Sequence, residues 1–204
     1  MLEVEAKFPL PPAARARVEA ELARRGVAFG DPVTQADTYR RHPVRDFAET
    51  DEALRVRVVT GSDGVPRGKL TYKGPKLGGF TKTREEFEPA LQPGEQNVQA
   101  LAAALDRLGF APVRTVTKTR RAAAVDDAGP DGVTRSFHIT RDEVEGLGEF
   151  LEVETTTDAA PGTPAADGAG AAVRYLAGTL GLGEPEPRSY LELLLGRDAE
   201  TDAG

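Results

Sequence analysis

Apolar and charged side chains alternate strictly from Leu2 to Phe8, Leu-Glu-Val-Glu-Ala-Lys-Phe, which is the period of a half-buried strand. Pro11 and Pro12 then open an Ala-, Arg- and Glu-rich segment ending at Gly26, with the start signal, the propensity and the stop of a helix. The two-residue period returns in Ala36–Arg41, Ala53–Thr60, Gly68–Lys73 and Phe80–Phe87, with turn signals such as Gly61-Ser62-Asp63-Gly64 and Gly74-Pro75 between them. Helical spacing of Val98, Leu101, Ala102, Leu105 and Leu108 predicts a second helix over Gly94–Leu108, stopped by Gly109. Val113–Val125, Thr134–Asp142 and Gly148–Thr157 read as further strands. Asp158–Ala172, built almost wholly from Ala, Gly, Pro, Thr and Asp, predicts a flexible loop. Helices around Ala172–Leu180 and Leu191–Leu195 follow, with a polar tail after Gly196. Many strands on short turns with few helices predict an α+β fold, mainly antiparallel β: one sheet, closed or nearly closed, with helices packed outside it.

Composition narrows the functional classes. A chain of 204 residues is long enough for one domain with its own core. The absence of Cys excludes thiol catalysis and Cys-ligated metals. No apolar run approaches the ~20 residues that span a bilayer, and charge follows Met1 almost at once, so a cytoplasmic protein without membrane contact is expected. A net charge of -7, from 26 Lys plus Arg against 33 Asp plus Glu, argues against a nucleic-acid surface. An anionic ligand would therefore have to meet a local cluster of cations. His42 and His138, the two histidines, have no metal-ligand company and read as a turn residue and a strand residue. Gly146-Leu147-Gly148 reads as a turn or bulge entering a strand.

The strand faces carry the chemistry. Glu3, Glu5 and Lys7 share one face while Val4, Ala6 and Phe8 share the other. Arg55 and Arg57, Lys69 and Lys73, Arg84 with Glu86 and Glu88, Lys118 and Arg120, and Glu152 and Glu154 repeat the pattern. Like charges two residues apart on a strand lie about 6.6 Å from each other, and a partly enclosed pair costs on the order of 2.5 kcal/mol at an effective dielectric of ~20. A wet sheet face would mix in neutral polar residues. Same-sign doublets of both signs on strand after strand point instead to a lined cavity holding something charged. Arg and Lys doublets suit phosphoryl oxygens and Glu doublets suit divalent cations. A polyphosphate bound as its metal complex needs both in one enclosed place. No GxxxxGK[ST] motif is present, so barrel side chains must replace a backbone cradle.

Glu3-Val4-Glu5-Ala6-Lys7 resembles the ExExK signature that opens the CYTH superfamily, the triphosphate tunnel metalloenzymes. Asp37-Thr38-Tyr39 is similar to the second-strand motif, Arg55-Val56-Arg57 to RxR, Arg84-Glu85-Glu86-Phe87-Glu88 to RxExE, and Lys118-Thr119-Arg120 to KxR. Leu70 through Lys76, Asp142 through Glu154, and Ser189 through Leu194 resemble segments of the class IV adenylyl cyclase branch, so the similarity runs along nearly the whole chain in order. The resemblance implies a single CYTH domain over residues 1–196, with a loop at about 158–171 and a tail at 197–204, built as an antiparallel barrel of about eight strands that binds triphosphate and divalent metal. It implies Mg or Mn held by Glu3, Glu5, Glu152 and Glu154, assisted by Glu86 and Glu88. It implies phosphate contacts from Lys7, Arg55, Arg57, Lys73, Arg84, Lys118 and Arg120, with Lys7 and Asp142 nearest the chemistry and Asp142 orienting the cations. The expected reaction is conversion of ATP to cyclic AMP and pyrophosphate. The alternatives are hydrolysis of inorganic, thiamine or nucleoside triphosphate, or non-catalytic polyphosphate binding. Homodimers are expected by analogy. Arg40, where the family often has an aromatic, is expected to face solvent, and Tyr190 and Leu191 are expected to anchor the last helix.

Overall fold

The alternating N-terminal residues form β1 (Leu2–Pro9), and Pro12 at the first turn starts α1 (Pro12–Arg24). There follow β2 (Val33–Arg40), β3 (Ala53–Thr60), β4 (Pro66–Lys73), β5 (Lys82–Phe87) and α2 (Glu95–Arg107). The chain continues through β6 (Pro112–Ala128), β7 (Thr134–Val144) and β8 (Gly148–Thr157) to α3 (Pro164–Thr179) and α4 (Tyr190–Asp202). This computed structural model describes residues 2–75, 82–160 and 162–202; the expected start of the fourth block at Phe80, and Lys76 of the cyclase-like segment, lie outside them. Among the described residues eight antiparallel strands close into a barrel in the order β1-β5-β4-β3-β2-β6-β7-β8. Closure joins the two ends of the sheet, with Leu2 opposite Thr157 and Phe8 opposite Leu151. No described helix is long and apolar enough to cross a membrane.

The core lies outside the barrel. Val4, Ala6 and Phe8 of β1, with Phe137, Ile139, Leu151 and Val153, pack against Val18 and Leu22 of α1 and Ala172, Val173 and Leu176 of α3. Each of those strand residues is at most 2% exposed, so the helices cover the outer face of that part of the sheet. The period of two then leaves the charged residues of the same strands facing inward. A second cluster seats α2 through Leu105 on Leu54 and Val56 of β3. A third closes one end of the barrel. Val116, Val144 and Phe150 share faces with Lys118, Asp142 and Glu152, and they meet Tyr190 and Leu194 of α4.

The main departures from the sequence reading are helical. α3 begins at Pro164, not Ala172, so the expected loop is helical over its second half. Thr163 caps it, its hydroxyl accepting from the Ala166 amide at 3.4 Å, and Pro164 occupies the first turn. α4 runs on through the expected polar tail to Asp202. β6 and β7 outrun their expected bounds as one long hairpin paired from Lys118↔Val144 to Ala128↔Thr134. Gly146, at φ 76°, makes the turn between β7 and β8, as its position between two strands requires.

Candidate active site

The inward faces, with the loop after β2 and the start of α4, line an open cavity of about 1050 Å³. Its wall includes every expected metal and phosphate residue: Glu3, Glu5, Lys7, Arg55, Arg57, Lys73, Arg84, Glu86, Glu88, Lys118, Arg120, Glu152 and Glu154. Asp142 is not on the wall. It is fully buried behind Lys118 and Arg120.

Three carboxylates converge. The register places Glu5 opposite Glu154, and one oxygen each from Glu3, Glu5 and Glu154 all lie within 4.8 Å of one another. Burial, and after it the charge of Glu5, pushes the Glu3 carboxyl up to about 10, and the same two causes raise Glu154 to about 7. Lys73 lies 3.3 Å from Glu3 and offsets part of this. Three hard oxygen donors crowded against their own repulsion fit a divalent cation such as Mg or Mn. The other expected ligands stand differently. Glu152 is turned to Arg120 and to the Thr140 hydroxyl at 3.3 Å. Glu86 pairs with Lys73 at 2.6 Å, and Glu88 accepts from Lys69 and Thr71 at 2.8 Å each. Burial works against the Glu88 charge, yet the Lys69 and Thr71 hydrogen bonds hold it down at about 2.

Two buried aspartates hold the cations in place. Asp37 of β2 takes a bidentate pair from Arg57, at 2.6 and 2.7 Å, and lies 3.4 Å from Arg55. Burial alone would raise its pKa, but Arg55 and Arg57 hold it well below the ordinary carboxylate range. Asp142 accepts from Lys118 at 2.8 Å, from Arg120 at 2.6 and 2.5 Å, and from the Tyr190 hydroxyl at 3.0 Å. Burial and then the neighbouring Arg120 lower Lys118 to about 8. Lys7 donates to the Arg188 carbonyl and lies 4.1 Å from the centroid of the Tyr190 ring. Lys118 lies 5.0 Å from the same ring. Arg84 reaches the Gly74 carbonyl at 3.4 Å.

The geometry adds to and corrects the sequence reading. Tyr190 anchors α4, as expected, but it is also cavity wall, and it ties Asp142 to Lys7 and Lys118. Asp37, quoted above as part of a motif without a role, orients two arginines. Arg40 does not face solvent; it is 6% exposed and donates to Asp106 and to the Phe110 carbonyl at 2.9 Å. His42 is a turn residue whose Nδ1 accepts from the Val44 and Arg45 amides at 3.1 and 2.9 Å. His138 is a strand residue on the cavity wall, opposite Glu154 in register. Past the cations the cavity has an open end, bordered by Phe47 and Leu191 and by the solvent-exposed Val44, Val113 and Leu195. The signal for that end was weak, because Val44 and Phe47 lie in a segment without periodicity.

Comparison with known proteins bears on this arrangement. The CYTH domain family matches residues 1–165. This chain belongs to the CYTH family. The chain is similar to "Putative adenylate cyclase MJ0240" of Methanocaldococcus jannaschii, which is 36% identical over 76% of this chain and 77% of its own. The structure of the PH1819 protein of Pyrococcus horikoshii superposes with a TM-score of 0.77 at 38% identity, covering 96% of this chain and 99% of that one. HpAC1 of Hippeastrum, a protein described by a dominant triphosphatase activity, shares the CYTH fold at a TM-score of 0.57 and 17% identity, over 96% of this chain and 95% of its own.

Proposed function

We propose that this CYTH protein is a class IV adenylyl cyclase-like enzyme that converts ATP to cyclic AMP and pyrophosphate. The observation that carries the reading is the meeting of the Glu3, Glu5 and Glu154 oxygens with the arginine and lysine wall in one cavity. Glu3, Glu5 and Glu154 would hold Mg or Mn, with Glu152 adjacent on the same strand face. The ion, when bound, lowers the pKa of a hydroxyl and screens phosphate charge. Arg55, Arg57, Lys73, Arg84, Lys118 and Arg120 grip phosphoryl oxygens and stabilise the charge that collects on departing pyrophosphate. Asp37 and Asp142 keep the guanidinium groups of Arg57 and Arg120 aimed before substrate arrives, so little reorganisation is left for the reaction itself. Lys7, under the Tyr190 ring, is placed to reach phosphate from the plugged end.

The size of the cavity favours a nucleotide over bare triphosphate. A volume of about 1050 Å³ exceeds what a phosphate chain fills, and Phe47 and Leu191 border the remainder. A second reading, hydrolysis of inorganic, thiamine or nucleoside triphosphate, is supported by the activity ascribed to the Hippeastrum protein on the same fold. Incubation of purified protein with ATP and Mn, and separately with inorganic triphosphate, decides between them. Cyclic AMP with pyrophosphate supports the cyclase; orthophosphate with no cyclic nucleotide rejects it.

A further inference from the structure

Gln35 lies on the inward face of β2, two residues before Asp37, and borders the cavity. It is 7% exposed, and among the described residues its enclosed Oε1 has no hydrogen-bond partner. A buried carbonyl left without a donor is unfavourable, and folded proteins keep such a group where something bound supplies the donor. The surroundings limit what that can be. Lys118 stands opposite Gln35 in the β2–β6 register, but its ammonium is directed to buried Asp142 at 2.8 Å and makes no hydrogen bond to Gln35 Oε1. Phosphoryl oxygens of an ionised triphosphate accept hydrogen bonds and have none to give, so they cannot satisfy a carbonyl oxygen. The attacking group does carry a hydrogen: a ribose hydroxyl in cyclisation, a water in hydrolysis. β2 is four strands from β1 whichever way the barrel is traversed, so Gln35 faces the strand of Glu3 and Glu5 from across the tunnel. The interior of an eight-stranded barrel is narrow enough for side chains on opposite walls to contact one small ligand.

We propose that Gln35 is a catalytic residue that orients the attacking hydroxyl, its Oε1 accepting the O–H hydrogen bond while the oxygen lone pair turns to phosphorus. The proposal rests on the triphosphate reading above. In cyclisation the hydroxyl oxygen bonds to the α-phosphorus, and the bond from that phosphorus to its bridging oxygen breaks. The electron pair leaves on pyrophosphate and the proton passes to bulk water. In hydrolysis a water oxygen bonds to the terminal phosphorus, the diphosphate product leaves with the electron pair, and the proton again goes to water. The amide is not a base, so it steers the proton without taking it.

Gln35→Met, close in size but with no acceptor, tests this with Mg or Mn and either ATP or inorganic triphosphate as the probe. The expected result is a kcat lowered about tenfold to a hundredfold with KM within twofold, because misplacement of one reacting group costs rate and not binding. The melting temperature of the variant should hold or rise by a few degrees, since the unsatisfied acceptor is gone. Gln35→Glu, which keeps an oxygen acceptor, should recover part of the lost kcat. A raised KM with unchanged kcat would make Gln35 a phosphate contact and overturn the proposal. So would an unchanged kcat with a lowered melting temperature, the mark of a packing role. Wild-type protein that turns over neither probe would remove the triphosphate reading itself, and this inference with it.

Discussion

Glu3, Glu5 and Glu154 bring three carboxylates together, and burial and the charge of Glu5 oppose the ionisation of Glu3 and Glu154. The folded pKa values of Glu3 and Glu154 lie above the unfolded one, so the stability tied to their protonation is present below about pH 4.5 and is lost as pH rises through 7 and on toward 10. In EDTA the melting temperature should fall steadily from pH 5 to pH 9, and Mg or Mn should abolish the fall; equal slopes with and without the ion would contradict the cation site. Asp37 acts in the opposite sense, with stability present above about pH 3.8 and lost below it. Glu5→Gln should lower metal-dependent turnover by more than the ~100-fold typical of lost outer-shell partners, while raising the ion-free melting point at pH 8. Retained activity would place the ion elsewhere. Asp142→Asn leaves Lys118 buried without its carboxylate and Arg120 with Glu152 alone, and should cost about 3–5 kcal/mol in urea unfolding. The inward carboxylates and cations were legible because strand parity fixes facing. Partner choice was not: nothing in the spacing says that Glu152 turns to Arg120 while Glu154 joins Glu3 and Glu5.

Helix α2 rests on β4 at Gly68, where an added Cβ would meet Val98 Cγ2 at 2.7 Å and Leu91 Cδ1 at 2.9 Å. Gly68→Ala should therefore lift the helix and destabilise by about 1–3 kcal/mol, read as a lowered urea midpoint with unchanged slope. An unchanged midpoint would show that Val98 and Leu91 swing aside freely. The strands were readable from period two, and α1 and α2 from their proline, glycine and leucine spacing. α3 was misread in its first half because Ala169 and Ala172, which it buries against the sheet, carry too little apolar surface to mark a stripe. The end of α4 was missed because Arg197, Asp198 and Glu200 look like a tail when no core face is visible past Leu195.

For the whole molecule, a ligand that binds only the folded chain adds to its stability. Triphosphate with Mg at a hundred times its dissociation constant should stabilise by about 2.7 kcal/mol, a rise of ~5 °C or more in melting temperature; no shift at saturation would count against the tunnel as a binding site. The inverted barrel, charged within and apolar without, could be inferred because helix-forming segments had to cover some face of the sheet. The plug at one end, made by Tyr190 and Leu194 against Val144 and Phe150, could not, since it depends on where the last helix docks. The seam between β1 and β8 bears on how the protein is made. Glu5 emerges from the ribosome about 150 residues ahead of Glu154, its partner across that seam. The acidic trio is therefore complete only once β8 has been made and the ring has shut.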